Sequence, residues 1–99
     1  MDIFISARVY SHISKNHSPS SKRHKTTFSC EFWSDRASNI ELFKNAIQDP
    51  TRILEHSDNC FVFWQKRCGI GSAGEQYLRV FAENQNNHLI VTTAHPAKQ

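Results

Sequence analysis

The chain has 99 residues, 38% of them apolar, and includes seven Phe and two Trp. This is enough for one modest hydrophobic core, so the composition excludes global disorder and predicts a single compact domain over residues 1–99. The net charge of +3, with six His that can add charge below neutral pH, favours an anionic partner.

Signals for membrane insertion and secretion are missing from the sequence. No apolar run approaches the roughly 20 residues that a membrane-spanning helix requires. Residues 1–17 lack the continuous apolar region and the small-residue cleavage site of a signal peptide. We therefore expect a protein of the cytoplasm, of the producing cell or of a target cell, with no membrane partner.

The three cysteines, Cys30, Cys60 and Cys68, are too few and too widely spaced for a structural framework. An odd count excludes complete disulfide pairing. The C-x-x-C and H-x3-H spacings typical of zinc sites do not occur. We expect reduced thiols, no metal site and no cofactor.

The first predicted element is an amphipathic helix over residues 3–16. Its apolar stripe recurs every four residues and consists of Ile5, Val9 and Ile13. On a wheel of 100° per residue, His12 and His17 lie about 60° and about 80° to either side of the stripe's centre. Both should border the buried face. As alternatives, His12 is a hydrogen-bonded boundary residue and His17 is a cation that favours the helix C-terminus.

Residues 18–36 form an irregular, basic loop insert. Its charge is concentrated in four consecutive residues: Lys22, Arg23, His24 and Lys25. Two interpretations stay open at this point, an ordinary solvated loop and a flap that contacts phosphate groups. Three aromatic residues should hold the segment on the core: Phe28, Phe32 and Trp33.

A second helix is predicted from the capping box Ser38-Asn39-Ile40-Glu41, in which Ser38 and Glu41 would bond the free backbone N–H groups reciprocally. An apolar face follows at helical spacing. The helix should end at Asp49-Pro50, because the residue before proline disfavours the helical conformation.

Strand-like runs fill the remainder of the chain. The first two are Thr51–Glu55 and Cys60–Arg67. A hairpin then follows, in which two apolar runs flank the turn Asn84–Asn87 and the second run is stopped by Pro96. The predicted class is α+β, with two N-terminal helices packed on a roughly four-stranded antiparallel meander sheet.

At these positions the sequence resembles the barnase–EndoU–colicin–RelE-like (BECR) superfamily of small metal-independent ribonucleases, particularly its phage- and toxin-associated branches. The matching residues are His12-Ile13, Lys15, His17, Asp49-Pro50, Tyr77–Val80 and Val91–Pro96. The resemblance implies a ribonuclease toxin that acts on RNA, with tRNA among the substrates, and a cognate immunity or antitoxin protein as a second partner.

RNA cleavage requires chemistry that this chain can supply. A base must remove the 2′-OH proton, an acid must protonate the leaving 5′-oxygen, and cations must stabilise the phosphorane. The candidate catalytic residues are His12, His17, Arg79, Thr93 and His95. The candidate RNA-binding residues are Lys15, Lys22, Arg23, Lys25 and Arg67. Thr93 and His95 share one side of the last strand by the two-residue period.

Each candidate also has a structural interpretation, so a rival function stays open. A non-catalytic binding module, either an immunity-type inhibitor or a nucleic-acid-binding domain, would also fit a small α+β domain. Inhibitors of cationic nucleases tend to be acidic, whereas this chain is basic, which favours the metal-independent endoribonuclease toxin.

Overall fold

The computed structural model describes residues 2–99, and within them it contains two helices and five strands. In chain order they are β1 (Asp2–Phe4), α1 (Ala7–His17), α2 (Arg36–Gln48), β2 (Arg52–Ser57), β3 (Cys60–Lys66), β4 (Tyr77–Gln85) and β5 (His88–Ala97). Helix α1 contacts β5, and α2 contacts β3 and β4. The α+β class, with two helices packed on a sheet, is confirmed.

The sheet has five strands in the order β1-β5-β4-β3-β2. Strands β2 to β5 form the antiparallel meander expected from the sequence. Strand β1 runs parallel to β5, with Asp2 opposite His88 and Phe4 opposite Ile90. The prediction of four strands, all antiparallel, is therefore wrong in the number of strands and in this one pairing. The three residues of β1 are too few to show an alternation of apolar and polar side chains. The strand owes its conformation to hydrogen bonds with a strand at the far end of the chain.

Helix α1 begins at Ala7, so the predicted start at residue 3 is wrong. Ser6 has an extended backbone and its Oγ accepts a hydrogen bond from the backbone N–H of Val9 at 3.0 Å. This N-cap fixes where the helix begins. Ile5, which the apolar stripe had placed inside the helix, lies before it and still packs against the core.

Helix α2 begins at Arg36, and its N-cap is Asp35 rather than Ser38. The Asp35 carboxylate accepts a hydrogen bond from the backbone N–H of Ser38 at 2.8 Å. The predicted capping box is thus wrong, because Ser38 already lies in the first turn. The predicted end is confirmed, since Asp49 caps the helix directly before Pro50.

The corrected cap leads to a stability prediction. Asp35→Ala should lower the thermal unfolding midpoint more than Glu41→Ala, because the first removes the acceptor for a helix N-terminal N–H and the second changes an exposed side chain. Thermal unfolding followed by circular dichroism measures both variants. Equal unfolding midpoints, or a larger loss for Glu41→Ala, would contradict Asp35 as the N-cap and favour the capping box predicted from the sequence.

Both helices bury one face on the same side of the sheet. The helix residues of this core are Ile13, Phe43, Ala46 and Ile47, and they meet strand residues that include Phe63, Leu78, Val80 and Val91. Phe28 of the insert is fully buried among them, and it forms an isolated antiparallel bridge with Gly71. The insert is therefore fastened to the core, as its aromatic residues predicted.

The β4–β5 hairpin turns at Asn86 and Asn87, which both have positive φ, 51° and 65°. Asn tolerates this conformation, and two such residues match the twist of a tight hairpin. A register shift next to Phe81 makes Thr92 the extra residue of a bulge in β5. Strand β5 continues through Pro96 to Ala97, so the proline does not stop it.

The cysteines and the helix lengths are the last features of the fold that the sequence had addressed. The three cysteines are free thiols, and Cys30 and Cys68 are exposed. Neither helix within residues 2–99 is long and apolar enough to cross a membrane.

Candidate active site

The candidate site lies beside the second half of β5. Strand β1 pairs with residues 88–90, so within residues 2–99 the part of β5 around His95 has no neighbouring strand on that side. The C-terminal end of α1 and the first part of the insert occupy this edge, because the backbone N–H of Phe28 donates to the carbonyl of His17 at 2.8 Å. The fold thereby brings a helix end, a loop and a strand together.

Three imidazole rings follow one another at this edge. The ring centroids of His24 and His17 are 4.9 Å apart, and those of His17 and His95 are 5.2 Å apart. They line a cavity of about 470 Å³. Its lining residues are His12, His17, His24, Lys25, Thr26 and His95. His12 and His24 are exposed, so the cavity is accessible from solvent.

His17 is held by the insert. Its ring Nδ1 lies 2.7 Å from the carbonyl oxygen of Thr26, and the residue is only 7% exposed. A carbonyl oxygen can only accept, so the hydrogen-bond network assigns the ring proton to Nδ1. The Nε2 lone pair then has no protein partner among residues 2–99 and is available as a proton acceptor.

His95 is protonated at the same ring nitrogen as His17, Nδ1, but its hydrogen-bond partners are different. Its Nδ1 donates to the carbonyl oxygen of Pro96 at 3.0 Å, and its Nε2 accepts from Nη2 of Arg79 at 3.1 Å. Arg79 and His95 are directly opposite each other on β4 and β5. Protonation of His95 at Nε2 would break the bond to Arg79, so this arrangement requires a neutral imidazole.

The electrostatics of the cavity favour neutral histidines. Burial lowers the pKa of His17 below its ordinary value of 6.5, and His24 and His12 lower it further, against the opposing effect of the Thr26 hydrogen bond. Burial likewise lowers the pKa of His95, and the positive charge of Arg79 adds to this effect. Burial also lowers the pKa of Arg79. Two uncharged imidazoles beside a guanidinium are therefore the resting state at neutral pH.

These shifts predict the pH dependence of folding stability. Well above pH 6.5 His17 and His95 are neutral in both the folded and the unfolded states, so they add no pH dependence there. Below pH 6.5 the unfolded chain binds protons that the folded protein refuses, so the free energy of unfolding should fall until the lowered pKa values are passed. Urea unfolding at pH 7.5 and pH 5.0 measures the difference. The double variant His17→Asn, His95→Gln should show a smaller difference, and an unchanged one would contradict the assignment.

The other predicted site residues are distributed over the surface. His12 and Lys25 line the cavity, and His12 lies 3.1 Å from the Asn16 side chain. Thr93 lies opposite Phe81 on the strand face that carries His95, without lining the cavity. Lys15, Lys22 and Arg23 are exposed at the end of α1 and in the insert. Arg67 is elsewhere: its guanidinium donates to Asn45 at 2.7 Å and to Gln65 at 2.8 Å.

His24 is the member of the ring cluster that sequence reasoning did not select as a catalytic candidate. It lies in an irregular segment with no periodicity, so its position depends on the anchoring of the insert at Thr26 and Phe28. The available signal was indirect. Phe28 must be buried, and burying it draws a loop that contains His24 back towards the end of α1.

Within residues 2–99 no three His, Cys, Asp or Glu side chains are grouped as a metal site. Comparison with protein-family models, curated proteins and solved structures finds no match to this chain.

Proposed function

We propose that this protein is a metal-independent endoribonuclease that cleaves RNA by attack of a 2′-OH on the adjacent phosphorus. The observation that carries the proposal is the contact sequence His24, His17 and His95, whose rings line one solvent-accessible cavity, with Arg79 hydrogen-bonded to His95. Imidazoles in contact can serve as acid and base near neutral pH, and a guanidinium binds a phosphate oxygen.

His17 is the general base of the proposed reaction. Its Nε2 lone pair takes the proton of the 2′-OH, the O2′–P bond forms, and the P–O5′ bond breaks. The products are a 2′,3′-cyclic phosphate and a 5′-hydroxyl end. The lowered pKa of His17 supports this role, because the ring is unprotonated at neutral pH and ready to accept a proton.

His24 supplies the second imidazole. It is exposed and in ring contact with His17, so it can donate a proton to the leaving 5′-oxygen while His17 accepts one. His95 is less suited to donate, because its Nε2 already accepts from Arg79. His12 lines the same cavity and is the alternative donor.

Cations at the cavity stabilise the phosphorane. Lys25 lines the cavity, and Arg79 adjoins it through its hydrogen bond to His95. A pre-positioned cation in a partly desolvated site acts where negative charge develops, which is usually a large contribution to catalysis. Lys15, Lys22 and Arg23 lie outside the cavity and would attract the RNA backbone. Thr93 would donate a hydrogen bond to a phosphate oxygen from the strand face. Arg67 is hydrogen-bonded to Gln65 and Asn45 and does not line the cavity.

The biological setting of the proposal comes from the resemblance to the BECR superfamily. It implies a toxin active in a cytoplasm, with RNA, tRNA included, as the substrate and an immunity or antitoxin protein as the inhibitor. The net charge of +3 supports partners of negative charge in both cases. An acidic inhibitor that covers the cavity would block its histidines.

The test is cleavage of total RNA and purified tRNA by the purified protein in excess EDTA. We expect fragments that end in a 2′,3′-cyclic phosphate, and no cleavage of 2′-O-methyl RNA, which lacks the attacking hydroxyl. Loss of cleavage in EDTA with recovery on adding zinc or magnesium would contradict the metal-independent reaction. An inactive but folded protein would contradict the nuclease proposal.

A nucleic-acid-binding module without catalysis is the second candidate. The face of the sheet that does not pack against the helices favours this function. Arg52 and Arg79 lie over the ring of Trp64 there, and cations beside aromatic rings are typical of nucleic-acid-binding surfaces. Binding of RNA that never leads to cleavage, under any of the conditions above, would select this function.

A further inference from the structure

The helices cover only one face of the sheet. The core that they share with the strands contains Phe63, Val80 and Ala94, whereas the alternating residues Trp64, Arg79 and His95 point the other way. The second apolar cluster contains strand residues alone, with no helix residue. We call this second side the open face, and it is defined by Arg52, Trp64, Lys66, Tyr77, Arg79, Phe81, Thr93 and His95.

One row of the open face crosses four strands in register. Arg52 is opposite Trp64, Trp64 is opposite Arg79, and Arg79 is opposite His95. The guanidinium carbons of Arg52 and Arg79 each lie 5.0 Å from the centre of the Trp64 ring, and that of Arg79 lies 5.3 Å from the centre of the Phe81 ring. These cation–π contacts hold both guanidinium groups against the aromatic rings.

Two buried donors in this row have no acceptor. Trp64 is only 9% exposed, yet no hydrogen-bond partner within residues 2–99 accepts from its Nε1, and the same holds for Nε of Arg79. An unsatisfied buried donor costs free energy, so proteins rarely leave one without a partner. An acceptor that a ligand brought to this row would remove part of that cost.

The charge of the open face identifies the class of ligand. Lys66 and Lys98 line a neighbouring cavity with Tyr77, so cations continue beyond the row. The nearest acidic position on this face of β4 is Glu83, which lies towards the hairpin turn. Tyr77 and Phe81 are half-buried, which leaves part of each ring free. Cations interleaved with aromatic side chains match a chain of phosphates that carries unpaired bases.

We propose that the open face binds an unpaired RNA strand, with phosphates on Arg52, Lys66 and Arg79 and bases against Tyr77 and Phe81. The inference rests on the proposed function for the identity of the strand as the substrate, and it specifies single-stranded RNA as the substrate class. The row ends at His95, which contacts His17, so a strand bound along it leads a phosphate into the cavity.

The experiment measures binding of a fluorescein-labelled 2′-O-methyl RNA of about 12 nucleotides by anisotropy, alone and annealed to its complement. This probe cannot undergo the proposed cleavage. The variants are Arg52→Ala and Tyr77→Ala. The matched control is Arg36→Ala, which removes an arginine that lies 5.1 Å from the Tyr10 ring on the helix side.

We expect Arg52→Ala to weaken binding of the single strand about tenfold and to reduce the salt dependence by about one counterion. Tyr77→Ala should weaken binding about fivefold or more without changing the salt dependence, because stacking carries no charge. The annealed probe should bind less tightly to the parent, and Arg36→Ala should bind like the parent.

Parental binding by both Arg52→Ala and Tyr77→Ala would overturn the inference, as would equal affinity for the paired and unpaired probes. These outcomes are separate from a failure of the proposed function. If the parent protein cuts RNA while both Arg52→Ala and Tyr77→Ala bind like the parent, only the inference about the open face is overturned. A parent that binds the strand through the open face but cuts no RNA overturns the nuclease alone.

Discussion

Replacing His17 with Asn is expected to lower the rate of RNA cleavage by about 10²–10⁴-fold, the range for loss of a general acid or base. His17 is the only imidazole in the cavity that combines a lowered pKa with an Nε2 free of protein partners among residues 2–99. Asn carries an amide nitrogen close to the position of Nδ1, so it can keep the hydrogen bond to Thr26. The change therefore removes proton transfer and spares the anchor of the insert.

The measurement is single-turnover cleavage of a labelled RNA as a function of pH. The acid limb of the parent profile should lie below pH 6.5, because burial lowers the pKa of the base. The control is His88→Ala at the other end of β5, where the ring packs against Phe4. His24→Ala should lower the cleavage rate by a comparable factor, because it removes the proposed proton donor, and a larger loss in His12→Ala would assign that role to His12. Parental rates in both His17→Asn and His12→Ala would place the site elsewhere.

Local signals made much of the fold predictable. The end of α2 follows from Pro50, and the β4–β5 hairpin follows from a turn of asparagines, two of which take positive φ. Strand β1 could not be recognised, because three residues have no periodicity and its pairing is with residues 88–90. Because β1 was not recognised, the start of α1 was predicted too early, at residue 3. Ile5 has the spacing of the helical stripe but precedes the cap at Ser6.

The candidate site was likewise predictable in part. His12 and His17 were selected because they flank the apolar stripe of α1, and His95 because it shares a strand face with Thr93. The structure brings all three histidines to one cavity. The position of His24 depends on long-range contacts of the insert, and that of Arg67 on hydrogen bonds to α2 and β3. Sequence spacing contains neither kind of information.

Replacing Arg79 with Ala is the second large effect that we expect, a loss of about 10²–10³-fold in kcat, the range for removal of one pre-positioned donor to a developing oxyanion. The Arg79 guanidinium is fixed by His95 and by the rings of Trp64 and Phe81, so its position is set before the substrate binds. Arg79→Lys should recover part of the loss, because it keeps the charge but not the planar fork of donors.

The matched control for Arg79→Ala is Arg52→Ala, which removes the other guanidinium that lies over Trp64 at the same 5.0 Å. Arg52 is remote from the histidines, so its loss should raise KM and leave kcat near the parent value. Nuclear magnetic resonance titration of His95 adds a readout that a purely structural role would not give. The pKa of His95 should rise in Arg79→Ala, because the positive charge that lowers it is gone. Equal effects of the two arginine variants on kcat, with an unchanged His95 titration, would remove Arg79 from the catalytic group.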